Sequence, residues 1–193
     1  MGGTFDDQLA DMLKGLHPDA EHVEIHDFGP IPGGFSRETF RFDAVLHISG
    51  RQERHPLILR KDPPESVAIL QTSRAIEHDL IEAVRLNTNV PVTESLGHQM
   101  DRAAFGEAAM IIRRAPGNPL TTDLFHDGPD AHQVDDVVRH LCESLVELHQ
   151  TDIHKLNPGG ELNDPRGVGI DVSSWDRYMD TTFEYYLDNY PKI

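Results

Sequence analysis

Gly29-Pro30-Ile31-Pro32-Gly33-Gly34-Phe35-Ser36-Arg37-Glu38-Thr39-Phe40-Arg41-Phe42 is a glycine turn that opens directly into an alternating strand. Glycine has no Cβ, so the backbone there can come close to a ligand. A turn whose N–H groups are free, placed beside a strand, can cradle phosphates. Further on, Leu57-Ile58-Leu59-Arg60-Lys61 is a short apolar strand ending in two cations. A glycine loop, a returning strand and a strand-borne cation together can hold the phosphates of a nucleotide. The same turn alone would serve a tight hairpin, so its meaning depends on what surrounds it.

The composition permits such a site. A chain of 193 residues, 38% hydrophobic and 26% charged, is long enough and ordinary enough for one or two packed domains. The net charge of −16, from 17 basic and 33 acidic side chains, argues against nucleic acid as a partner. It is compatible with a cationic or neutral small substrate, but a solvated acidic surface is the simpler reading. Cys142 is the only cysteine, which rules out an intramolecular disulfide and fits a reducing, cytoplasmic setting. Met1 to Asp7 has neither the basic region nor the apolar run of a signal peptide, and no stretch approaches a membrane span.

Outward from the turn, periodicity predicts the elements. Leu9, Met12, Leu13 and Leu16 mark an amphipathic helix over Thr4 to Leu16. Val23 and Ile25 suggest a first strand. Phe40, Phe42, Ala44, Leu46 and Ile48 alternate with Arg41, Asp43, Val45 and His47 in a half-buried second strand. Gly50 to Arg54 reads as a polar hairpin turn and Leu57 to Arg60 as the return strand. A helix follows from Ser73 to Leu86, with Glu77 beside its apolar face, then strands near Val92 to Leu96 and Ala108 to Ile112. Ala115-Pro116-Gly117-Asn118-Pro119 is the clearest linker. Beyond it Asp130 and Gln133 have capping-box spacing, Val134 to His149 has helical spacing, and Ser174 to Asn189 carries an aromatic-rich helical face. The expected layout is α+β: an N-terminal helix (1–19), a small antiparallel-sheet lobe with one inserted helix (20–115), and the helical beginning of a second lobe (116–193).

In this order and spacing the chain resembles the aminoglycoside phosphotransferase and choline-kinase-like family. It is closest to the branch that includes the kinase-like domain fused to some acyl-CoA dehydrogenases. The likeness covers roughly residues 20–155. It is carried by Pro32 to Thr39, Leu57 to Arg60, Glu77, Met110-Ile111-Ile112-Arg113-Arg114-Ala115-Pro116-Gly117 and Leu145-Val146-Glu147-Leu148-His149. The resemblance implies a protein-kinase-like fold and transfer of the γ-phosphate of ATP or GTP, with magnesium, to a hydroxyl of a small molecule. Gly33, Gly34, Phe35 and Ser36 would cover the phosphates. Arg60 would replace the usual strand lysine, and Glu77 would hold it. The backbone of Arg113, Arg114 and Ala115 would meet the adenine edge.

Two departures qualify the match. Arginine is a planar fork where lysine is a point charge, yet it pairs well with phosphate. Lys61 would point to the opposite face from Arg60, which shares its face with Ile58. The family's His-Gly-Asp catalytic loop, its following Asn and its later magnesium-binding Asp do not occur in the sequence; Phe125-His126-Asp127-Gly128 has another order. We therefore expect these residues to be the N-terminal part of a longer enzyme, inactive alone, with the magnesium ligands in the remainder. The alternative is a non-catalytic module binding nucleotide or a partner. His22 and His26, and His126 with Asp127 and His132, lack the spacing of known metal sites. The residue patterns place His149 as a helix end or buried donor, Cys142 as a core thiol, and the Trp175 to Tyr186 aromatics as packing.

Overall fold

The computed structural model describes residues 4–31, 37–63, 73–117, 128, 130–157, 159–160 and 165–189. They fall into two compact units, Met1–Leu156 and Asn157–Ile193.

The first unit is built on a five-stranded antiparallel sheet. Its strands are β1 (His22–Pro30), β2 (Glu38–Ile48), β3 (Arg51–Lys61), β4 (Ser95–Gln99) and β5 (Ala109–Arg113), in the order β1-β2-β3-β5-β4. Helix α1 (Phe5–Leu16) begins at a capping box in which the Thr4 hydroxyl accepts from Asp7 N–H and the Asp7 carboxylate accepts from Thr4 N–H. Its Leu9 and Leu13 are fully buried against Phe42, Ala44, Leu57, Leu59, Ala109 and Ile111, the residues of one sheet face. Phe5 adds a ring cluster with Phe28, Phe40 and Phe105, the last from a short helix α3 (Arg102–Phe105) that no sequence signal announced. Helix α2 (Arg74–Asn87) starts at Ser73, whose hydroxyl accepts from Ile76 N–H, and touches β4 and β5. The register pairs Ile58 with Ile112 and Arg60 with Met110, one step out of phase with the α1-facing residues. The second face of the sheet therefore carries Ile58, Arg60 and Met110.

The hairpin is tighter than expected. Ser49 and Gly50, at φ 50° and 76°, make a two-residue turn, so Arg51 to Arg54 belong to the strand and not to the turn. The β4 strand lies later than Val92 to Leu96. A Cβ on Gly97 would come within 2.8 Å of Leu16 Cδ2, so glycine lets the strand pass under the end of α1. Asp43 alternates with core residues yet is itself buried, a point the pattern could not reveal.

Helix α4 (Val134–Gln150) follows a 3-10 turn, Ala131–Gln133. Gln133 Nε2 donates to Asp130 Oδ1 at 3.0 Å, but neither side chain caps a backbone group, so the expected capping box does not form. Asn89 donates through its backbone and side-chain nitrogens to Glu147 Oε1, tying α4 to the end of α2. A short helix α5 (Ile153–Leu156) closes the unit. No residue of α4 is buried: Val138, Leu141, Leu145 and Val146 are exposed, and so is Cys142, which corrects the core-thiol expectation. His149 is likewise exposed in the last turn.

The second unit holds a 3-10 turn, Pro165–Val168, and helix α6 (Trp175–Asn189). Asp171 accepts from Ser173 N–H and from Arg177 Nε, and these bonds, Ser173's first, draw its carboxyl down to about 2. Trp175, Met179, Phe183 and Leu187 are exposed, where packing was expected. No helix among the described residues is long and apolar enough to cross a membrane.

Candidate functional site

The sequence-derived cation and carboxylate meet. Arg60, near the end of β3, pairs through Nη1 with Glu77 Oε1 on α2. Strand alternation aims Arg60 at the sheet face over which Glu77 projects. Lys61 points the other way and pairs with Glu38 at 2.6 Å, as alternation requires.

Three further residues complete the cluster. Arg74, one helical turn before Glu77, pairs through Nη1 with Glu77 Oε2 and lies 3.0 Å through Nε from Asp62 Oδ1. Its side chain is fully buried, with Nη1 3.7 Å from Met110 Sδ. Burial pushes the Arg74 guanidinium below its ordinary range, Glu77 opposes this, and Arg37 adds to it. Arg37, just before β2, lies 3.5 Å from Asp62 Oδ1 and 3.7 Å from Glu77 Oε2. Among the described residues, then, three guanidinia converge on two carboxylates. Desolvated charges are tolerated when paired in this way. The sequence reading singled out neither Arg74 nor Asp62; the signals it could have used are the i−3 spacing from Glu77 and the position two beyond Arg60 on the same face. Nothing in the pattern marked Arg74 as buried.

The segment at the end of β5 is held by its side chains. Arg113 Nε donates to Glu94 Oε2 at 2.8 Å, and Arg113 Nη1 is 3.4 Å from His55 Nδ1. Arg114 Nη2 donates to Asp43 Oδ1 at 2.7 Å, and Arg54 pairs with the other Asp43 oxygen. The backbone is partly committed as well. Arg113 N–H donates to Glu94 O at 2.9 Å, Arg114 N–H donates to Pro56 O at 2.9 Å, and the Thr93 hydroxyl donates to Arg113 O. Of the three expected base-contacting residues, Ala115 is thus the one whose N–H has no backbone or side-chain acceptor among the described residues. Gly33, Gly34, Phe35 and Ser36 lie outside the described residues, as do His126 and Asp127.

One histidine from β1 and one from β2 serve a carboxylate. His26 Nε2 lies 3.1 Å from one Glu24 oxygen and His47 Nε2 lies 2.9 Å from the other, and these bonds draw the Glu24 carboxyl down. Among the described residues no group of three His, Cys, Asp or Glu side chains is placed to hold a metal ion.

A small antiparallel sheet, an inserted helix whose glutamate meets a strand cation, and then helices define an α+β, protein-kinase-like fold. The model of the phosphotransferase enzyme family, APH, matches residues 27–187, and the chain belongs to that family. The fold is shared with a solved protein of Ralstonia eutropha JMP134 classed as an aminoglycoside phosphotransferase, at TM-score 0.54 and 17% identity. That match covers 95% of this chain and 49% of the other, so the chain spans about half the length of the structure it matches. No curated protein matches it.

Proposed function

We propose that this chain is the nucleotide-holding part of a phosphotransferase that moves the γ-phosphoryl of ATP or GTP to a hydroxyl of a small molecule. The observation that carries the reading is the Arg60–Glu77 pair between β3 and α2. Phosphoryl transfer asks little covalent chemistry of the protein; it asks for positioning and charge neutralisation. Arg60 supplies a fork that matches phosphate oxygens. Glu77 fixes where that fork sits. The hinge, pinned through Arg113 and Arg114, presents Ala115 N–H to the base.

Magnesium, if bound, would supply neutralisation of phosphate charge. The described residues do not fit it: Asp62 and Glu77 are both covered by guanidinia. We propose that its ligands, the catalytic loop and most acceptor contacts belong to polypeptide beyond these residues. The exposed apolar side chains of α4 support this, because a folded partner surface would cover them.

Equilibrium titration of the 193-residue chain with ATP and GTP tests the reading. Arg60→Ala should weaken binding by about tenfold or more, the loss expected for a charge-assisted contact. Unchanged affinity would remove Arg60 from the site. Bound nucleotide without turnover fits the reading for this chain by itself.

A further inference from the structure

We propose that Arg37 is a second phosphate ligand beside Arg60, and that buried Arg74 is the positioning residue that leaves both able to turn to the phosphates; this rests on the nucleotide reading above. The three arginines differ in access. The Arg74 side chain is 0% exposed, whereas those of Arg37 and Arg60 are 21% and 27% exposed. Only the latter two can reach a ligand.

The pairing pattern divides the roles. Arg37 faces Asp62 Oδ1 and Glu77 Oε2, and Arg74 faces the same two oxygens. Arg74 is the closer at both. If Arg37 turned to an anion, each carboxylate oxygen would keep its Arg74 partner. If Arg60 did so, Glu77 would still be held through Oε2. Without Arg74, turning both Arg37 and Arg60 to an anion would strand the part-buried charges of Asp62 and Glu77, which is strongly unfavourable. Arg74 therefore fixes Asp62 and Glu77 whether or not an anion is present. The carboxylates in turn hold Arg37 and Arg60 in place through charge.

Position agrees with this division. Arg37 immediately follows Ser36 of the glycine turn and stands one step beyond the Glu38–Lys61 pair of the β2–β3 ladder. Lys61 is committed to Glu38 on the opposite face, so the second cation on the Arg60 side comes from Arg37. Two guanidinium forks gathered at one carboxylate, Glu77, suit the adjacent phosphates of a nucleoside di- or triphosphate better than a single phosphate.

The test titrates the chain with ADP, inorganic pyrophosphate and adenosine, comparing it with Arg37→Gln. We expect the variant to bind ADP and pyrophosphate about tenfold more weakly and adenosine equally well. Equal ADP affinity in a folded variant overturns the proposal while leaving the nucleotide reading intact. Should the variant fail to fold, the wild-type chain carries the test through its arginine Nε–H NMR signals. Pyrophosphate should shift those of Arg37 and Arg60 and leave Arg74 nearly still; an unmoved Arg37 signal in the bound state overturns the proposal. If the chain binds pyrophosphate through Arg37 but no nucleotide, the nucleotide reading falls and the anion site stands. If it binds neither, both fall.

Discussion

Glu77 carries contacts to three arginines on one carboxylate, and its neighbours decide what each substitution does. Glu77→Gln keeps the shape and removes the charge that gathers Arg37, Arg60 and Arg74. The fold should survive with reduced stability, and nucleotide affinity should fall by about tenfold as Arg60 loses its fixed position. Arg74→Ala is expected to be more damaging, because it leaves Asp62 and Glu77 with less compensation. Breaking a buried ion pair from one side costs about 3–5 kcal/mol, so its urea midpoint should drop well below that of Arg60→Ala. A midpoint equal to that of Arg60→Ala would deny Arg74 its special place. The sequence named Arg60 and Glu77 because their spacing matches a known arrangement. It did not separate Arg74 or Asp43 from ordinary surface charge. Burial of a polar group depends on which elements pass over it, and that is a property of the fold.

At the scale of elements, local signals and tertiary pressure can be told apart. The ends of α1 and α2 were readable because Thr4 and Ser73 supply the hydroxyls that unpaired helix N–H groups require. Ser73→Ala should cost about 1 kcal/mol, read from the urea midpoint, and should also weaken nucleotide binding slightly, since Arg74 and Glu77 lie in the first turn. Leu13→Ala, at a fully buried position between α1 and the sheet, should cost about 2–5 kcal/mol and leave the proposed nucleotide site largely unaltered in the folded protein. Contacts made across the chain leave no local pattern. The strand expected near Val92 begins only at Ser95, where Arg113 N–H meets Glu94 O and Gly97 admits Leu16. The long β3 strand was hidden by the polar run Arg51 to Arg54, a sequence typical of turns. Only the positive φ angles of Ser49 and Gly50 show that the reversal is complete before Arg51. The α4 helix was legible by periodicity, but periodicity says which face is apolar and not whether anything covers it.

Across the whole chain, charge and exposed apolar surface set its solution behaviour. Burial, then Arg113, lowers His55 below its ordinary 6.5, and burial with His78 does the same to His98. The groups around His55 are Arg113, His17 and Glu53. Burial raises the Asp43 carboxyl, but Arg54 and Arg114 outweigh it and the net shift is downward from 3.8. In each case the unfolded chain takes up the proton first as pH falls. Stability is therefore full above about pH 6.5, declines as His55 and His98 titrate, and declines again below about pH 4 as carboxylates protonate. Urea midpoints across this range should show both steps. Asp43→Asn should be destabilised at neutral pH and should have a shallower acid step; an unchanged acid step would mean that Asp43 does not contribute to it.

The apolar side chains exposed on α4 should make the 193-residue chain bind hydrophobic dyes, and a longer polypeptide that covers them should bind less. The most direct measurement of the central claim is amide hydrogen exchange of the chain with and without ADP, resolved by peptide. Nucleotide held at the Arg60–Glu77 cluster predicts slowed exchange in residues 57–62, in the first turns of α2 and at Ala115, with little change in α1. Slowing confined to other segments, or no slowing at saturating ADP, would contradict it.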